Sequence, residues 1–296
     1  MAKPLPLPVW DRQRGKLLEE WMDDHQPHYE SEPQRSVTQW VKSQPFYDRL
    51  YALYENSRWS TREIEPFIRK YHIDMAEFEP VGYRSFAEFF DRRFRPGVRE
   101  FPSAPEEMGA FAEARYFGWQ NVEPGQKLPV KGNSLSADQI LGSADRAHPF
   151  AGGPVLLVRL APVDYHHMHY PDDGTTRDHQ RLGRRLWTVN WHALQSKPDI
   201  LFANAQRKHP RNAQLRTSRV CGGGRVVGWT DSAGSPLRLA LQARGRESGL
   251  SLRRLSDRCL GAGKWCPSAD LLEHTRENVE TLVPLGDCVA TAGAQR

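Results

Sequence analysis

The stretch Val155-Leu-Leu-Val-Arg-Leu-Ala-Pro-Val-Asp-Tyr-His-His-Met-His-Tyr-Pro-Asp-Asp-Gly174 decides how the rest of this 296-residue chain is read. Residues 155–161 are aliphatic except for Arg159, the pattern of a strand with at least one buried face. Asp164, His166, His167 and His169 then arrive together, just before the turn composition Pro171-Asp172-Asp173-Gly174. A strand end that sets imidazoles beside a carboxylate is a seat for proton transfer, because imidazole takes up and releases a proton near neutral pH. Spacing alone leaves bland alternatives open: histidines at a wet strand end, or histidines satisfied within the core. A metal held by Asp164, His166 and His169 is another alternative. Positions i, i+2 and i+5 converge on one ion only through a local turn, and no metal site is assigned.

Composition bounds what such a site serves. At 39% hydrophobic residues the chain can build a core, and no apolar run approaches the length of a membrane-spanning helix. The first eight residues, Met1-Ala-Lys-Pro-Leu-Pro-Leu-Pro8, lack the apolar centre of a secretion signal and read as an extended arm, so the expected location is cytoplasmic. Cys221, Cys259, Cys266 and Cys288 contain no C-x-x-C pair, which argues against a zinc or redox motif. The net charge of +5 is local. Residues 205–263 hold eleven Arg, one Lys and three acids, a formal +9, while the remainder holds 29 bases against 33 acids. That Arg/Gly-rich segment could suit nucleic acid, but its one aromatic, Trp229, provides no series of stacking platforms, and no nucleic-acid partner is expected.

The N-terminal third reads as helical. Residues 10–24 place Trp10, Leu17, Leu18, Trp21 and Met22 along one helical face, which either packs on its own domain or rests on lipid. Two further helical pieces, Ser36 to Gln44 and Phe46 to Asn56, flank Pro45, and the aromatic face of the second is expected in the core. Ser60-Thr-Arg-Glu63 and Ser85-Phe-Ala-Glu88 are capping-box signatures that open helices. After Pro96 the texture becomes short segments broken by Gly and Pro, with a strand over Phe111–Trp119. The expected fold is α+β, with a helical region over residues 1–95 and a β-rich body over 96–296.

The ordered blocks Asp164-Tyr-His-His-Met-His169, Leu186-Trp-Thr-Val-Asn190 and Leu201-Phe-Ala-Asn204 closely resemble the phosphatidylserine decarboxylase family. Tyr83–Gly97 and Val130–Leu141 resemble further blocks of that family, so the resemblance covers most of the chain up to Asn204. It implies a pyruvoyl-dependent carboxy-lyase that converts phosphatidylserine to phosphatidylethanolamine, in peripheral contact with a membrane and with a homodimer as an allowed assembly. It also implies roles. His169 would be the general base, assisted by His166. Glu113, standing where the family carries an aspartate, would orient His169 with one methylene more reach. Tyr165 and Asp164 would contact substrate.

From Ala205 to Gly263 the resemblance stops. The family's pyruvoyl group arises from a serine in a Gly-Ser-Ser or Gly-Ser-Thr turn. Its hydroxyl attacks the preceding carbonyl, and chain cleavage leaves a ketone that serves as an electron sink. No such triplet occurs here. Ser256 is the least poor candidate and Ser251 the next, and neither follows a glycine, the residue that lets the backbone make that turn. A regular amphipathic pattern returns at Ser268 and runs to Gly286. Loss and recovery of pattern at nearly unchanged length is what two compensating reading-frame shifts produce, so residues 205–263 are expected to be disordered or translated out of the ancestral frame, with activity impaired.

Overall fold

The computed structural model describes residues 7–20, residues 45–169 apart from 105, 131–132, 142–143 and 149–150, residues 265–292, and the backbone of short strands between 174 and 261. In chain order the elements are β1 (Leu7–Asp11), β2 (Lys16–Glu20), α1 (Pro45–Glu55), α2 (Ile64–Tyr71), α3 (Phe86–Phe90), β3 (Glu107–Gly109), β4 (Ala114–Val122), β5 (Leu128–Val130), β6 (Asn133–Leu135), α4 (Ala137–Leu141), α5 (Ala144–Ala147) and β7 (Gly153–Arg159). There follow β8 (His167–His169), β9 (Gly174–Thr175), β10 (Gln180–Leu182), β11 (Gln206–His209), β12 (Ser218–Gly224), β13 (Ala240–Leu241), β14 (Arg246–Ser251), β15 (Leu255–Gly261), β16 (Trp265–Pro267), α6 (Ala269–Arg276), β17 (Glu280–Val283) and β18 (Cys288–Ala292). The α+β class is as the texture of the sequence implies.

A nine-stranded sheet in the order β10-β11-β12-β15-β7-β4-β17-β1-β2 carries the fold. Its pairings are antiparallel except for β1 against β17. A three-stranded sheet, β16-β18-β3, stands apart from it. The core lies where β4 and β7 turn inward: Ala114, Tyr116, Leu156 and Val158 meet Phe111, Trp265, Leu271, Val283 and Val289. Helix α6 rests so closely on β4 that a Cβ on Gly118 would approach those of Leu271 and Pro267 to 3.2 Å. Within residues 205–263, the backbone forms five strands, of which β12 and β15 extend the sheet from β7. The block Leu186–Asn190 and the piece Ser36–Gln44 lie outside the described residues.

Three local expectations need correction. Residues 10–24 do not begin a helix: Leu7–Asp11 and Lys16–Glu20 form a hairpin whose first strand adds to β17. Asp11 explains the turn. Its Oδ1 accepts from Arg14 N at 3.0 Å, and its carbonyl accepts from Gly15 N at 2.8 Å, with Gly15 at φ +60°. Arg12 then ties the hairpin to α6 through two bonds to Asp270, at 2.8 and 2.9 Å. Burial would raise the Asp270 carboxyl, but the hydrogen bonds from Ser268 and Arg12 outweigh it and hold the group below its usual range.

The second correction is Ser60, which caps no helix. It sits inside a 3₁₀ turn over Arg58–Glu63, where its hydroxyl donates to backbone carbonyls and accepts from Phe86 N at 2.8 Å. Ser85 does cap: its Oγ accepts from Glu88 N at 3.2 Å, and the Glu88 carboxylate reaches back to Arg84 N. Third, the apolar face of α1 is not core. Leu50, Tyr51 and Leu53 are 60%, 39% and 69% exposed, and Trp59 beyond them is 76% exposed, while the side chains of Phe46 and Tyr47 lie outside the described residues.

Phe86, Phe89 and Phe90 of α3 gather Ile64, Phe67 and Ile68 of α2 into one apolar cluster. A second cluster, Phe78, Tyr165 and Leu285 with Phe94 and Phe101, joins this helical region to the histidine segment and to the C-terminal strands. The last of these junctions passes through Gly286, at φ +88°, where a Cβ would fall 2.3 Å from Glu100 O. Gly286→Ala is expected to cost about 1–3 kcal/mol, read as a lower midpoint in chemical denaturation. An unchanged midpoint would mean that this contact is not tight in solution.

Candidate active site

Strand β7 delivers the chain to the site, and Asp164 turns it. Asp164 N donates to Ala161 O at 3.0 Å, while Asp164 Oδ2 accepts from Ala161 N at 2.5 Å, closing a tight loop. The other carboxylate oxygen accepts from Arg115 on β4, and both side chains are buried. This ion pair is tolerable in the interior because each partner has a charge-compensating donor or acceptor. Asp164 therefore faces into the fold.

Arg92, just beyond α3, fastens the same loop from the helical side. Its Nη2 donates to Val163 O and, at 3.1 Å, to Asp164 O. The guanidinium carbon lies 4.7 Å from the Phe78 ring centre and 5.0 Å from that of Phe89, within cation–π range. Burial pulls the Arg92 guanidinium down to about 10, against the opposing pull of Asp164 and Tyr83.

The histidines enter three different surroundings. His166 is fully buried, its Nδ1 2.8 Å from Asp164 O and its ring centre 4.0 Å from that of Phe90. His167 is buried too, with Nε2 3.1 Å from both the carboxylate and the carbonyl of Asp91. His169 is half-buried. Its backbone N donates to Phe111 O at 2.7 Å, and its Nε2 stands 3.4 Å from the Tyr165 hydroxyl. Tyr165 is itself buried, stacked between Phe94 at 4.5 Å and His167 at 4.6 Å.

Glu113 lies two residues beyond the carbonyl that holds His169. Its carboxylate accepts from Arg99 at 2.6 and 2.9 Å and from Leu285 N at 3.2 Å. Arg99 also donates to Glu77 at 3.0 and 3.2 Å. Burial would lower Arg99, but its hydrogen bonds to Glu113 and Glu77 overcome it and hold the guanidinium above its ordinary value.

Asp164, Tyr165, His166 and His169 lie together at the end of β7, and Glu113 lies two residues beyond the carbonyl that accepts from His169 N. What sequence reasoning missed is the set of arginines that organises them: Arg92, Arg99 and Arg115. Two of these stood in plain view, Arg92 inside the Phe86–Arg92 aromatic block and Arg99 directly after Pro96-Gly97-Val98. An Arg flanked by aromatics that must be buried is itself a signal, since a buried guanidinium requires acceptors.

On the far side, strand β14 sets Arg246 opposite His169 and Ser251 opposite His167, while β15 sets Ser256 opposite Arg159. Ser251 ends its strand after Leu250, and Ser256 lies within its strand after Leu255. A pyruvoyl group would have to be made from such a serine at a glycine-borne turn, and these residues do not fit it. Among the described residues, no group of three His, Cys, Asp or Glu side chains is arranged to hold a metal ion.

Comparison with known proteins meets this geometry. The family model for phosphatidylserine decarboxylase matches residues 86–217. The chain is 31% identical over 161 residues to the phosphatidylserine decarboxylase proenzyme of Clostridium novyi, covering 54% of this chain and 55% of that protein. It is 35% identical over 150 residues to the proenzyme of Bordetella pertussis, covering 49% and 50%. Against the proenzyme of Chlamydia pneumoniae it is 30% identical over 182 residues, 60% of each chain. The chain spans about half the length of the curated relatives it matches.

Asp164→Asn keeps the shape of the loop and leaves the buried Arg115 without its counter-charge. The variant is expected to lose about 3–5 kcal/mol of stability, measured by urea denaturation. Wild-type stability would show that the Arg115–Asp164 pair is not closed in solution.

Proposed function

We propose that the chain is a member of the phosphatidylserine decarboxylase family, a decarboxylase of phosphatidylserine whose activity in this chain is impaired. The observation that carries the reading is the half-buried His169, bonded through its backbone beside Glu113 and stacked on Tyr165 within a site closed by buried arginines. His169 is the general base, His166 supports it, and Glu113, clamped by Arg99, orients His169 from beside the Phe111 carbonyl that holds its backbone. Asp164 and Tyr165 act on substrate through the positions they impose on the histidines. The missing Gly-Ser-Ser or Gly-Ser-Thr turn is what impairs the chain, and two compensating frame shifts across residues 205–263 account for its loss. Reading the coding DNA of that segment in its other two frames should reveal a Gly-Ser pair and alternating apolar strands.

Intact-mass measurement of the purified protein tests the central claim. The expected result is one uncleaved chain of 33.9 kDa, with little or no release of carbon dioxide from phosphatidylserine. A ketone-capped carboxyl-terminal fragment together with brisk turnover would overturn the impairment.

Contact with a lipid surface follows from a different set of residues. Leu50, Leu53 and Trp59 are exposed together beside the exposed Arg58 and Arg62. Such a face lets apolar side chains enter the headgroup layer while the arginines meet lipid phosphates. No described helix is long and apolar enough to cross a membrane. Co-sedimentation with vesicles containing phosphatidylserine is expected to fall severalfold in the double variant Leu53→Ser, Trp59→Ser. Unchanged sedimentation would remove this face from consideration.

A further inference from the structure

Two donors share one oxygen at the centre of the site. The carbonyl of Asp164 lies 3.1 Å from Arg92 Nη2 and 2.8 Å from His166 Nδ1. A carbonyl oxygen only accepts, so the imidazole must donate to it from Nδ1. We propose that Arg92 is a positioning residue that holds His166 as the neutral, Nδ1-protonated tautomer, by fixing the direction of the Asp164 carbonyl and by opposing a second positive charge beside it. The inference rests on the reading of His166 as a supporting group in proton transfer.

The surroundings bear this out group by group. Arg92 is 1% exposed, and among the described residues its Nε and Nη1 have no hydrogen-bond partner, so its anchorage is the pair of carbonyls at Val163 and Asp164. The cation held there is only partly offset. The nearest carboxylate, that of Asp164, already faces Arg115. The Glu113 carboxylate, which also acts on Arg92, is clamped by Arg99; the Phe90 ring lies against the imidazole, and the Tyr83 hydroxyl, which burial pushes above its ordinary range, lies near Arg92. An imidazolium at His166 would thus stand beside an incompletely compensated guanidinium in a low-dielectric interior, the arrangement that most disfavours it. With Nδ1 committed to the carbonyl, Nε2 is the basic nitrogen of this ring. The loop closure at Ala161–Asp164 and the Arg92 clasp therefore decide which of the two ring nitrogens accepts a proton.

Nitrogen-15 NMR of the histidine side chains in the full chain tests the assignment without any assay of activity. In the wild-type protein near neutral pH, His166 is expected to show a protonated Nδ1 and an unprotonated Nε2. In Arg92→Met the single tautomer should give way to a mixture, and Arg92→Lys, which keeps a charged donor, should restore much of the Nδ1–H form. A wild-type His166 protonated on Nε2, or an Arg92→Met protein that keeps the single tautomer, would overturn the proposal. Should Arg92→Met fail to fold, the wild-type spectrum and Arg92→Lys still decide it. A ketone-capped fragment and brisk turnover with the tautomer in place would count against the proposed impairment and leave this inference standing.

Discussion

The loop between β7 and β8 must carry a carboxylate, a tyrosine and His166 into a dry interior and set His167 and His169 on β8 beyond them, and it can do so only because Arg115 and Arg92 meet it from two sides. Arg115 neutralises the Asp164 side chain, and Arg92 takes up the carbonyls of Val163 and Asp164. Without these partners the loop would leave a charge and two acceptors stranded where water does not reach, a cost of several kcal/mol for the charge alone. The histidines inherit their geometry from this arrangement. His166 hangs from the same carbonyl that Arg92 holds, and His169 is the one left at the rim of the buried region.

The helical segment is consequently more than a flank to the sheet. Its aromatic clusters bring Arg92 and Arg99 to the site, and its Phe78, Phe94 and Phe101 form one wall around Tyr165. Arg99 plays for Glu113 the part that Arg115 plays for Asp164, with Glu77 as a second carboxylate. Glu113 is kept in place by this clamp, which fixes both its oxygens and limits its rotatable side chain. The same packing leaves Leu50, Tyr51 and Leu53 of α1 exposed, where the aromatic content of the stretch suggested interior.

The backbone of β14 and β15 runs beside the histidine and aliphatic strands, at the place where a self-modifying serine would be needed. The sheet can be continued there by almost any extended segment, because ladder hydrogen bonds come from the main chain. Chemistry cannot be continued in the same way, since it depends on one hydroxyl following one glycine. Main-chain pairing continues through β12, β14 and β15 between residues 205 and 263, and the family match ends at residue 217.

From the amino-acid order alone one could read the aliphatic strand, its polar end, the histidine spacing, the Ser85 cap and the alternation of helical and strand-rich textures, all of which depend on neighbours a few residues away. The same reading failed at residues 10–24, where Trp10, Leu17 and Leu18 suit a helix and a strand equally well until β17 is there to pair with the hairpin. It failed at Ser60 for a similar reason: the hydroxyl's partner is Phe86 N, twenty-six positions away. The roles of Arg92, Arg99 and Arg115 belong wholly to tertiary structure. A guanidinium becomes an organiser of a site only when folding removes water from it and offers carbonyls and carboxylates from distant parts of the chain in its place.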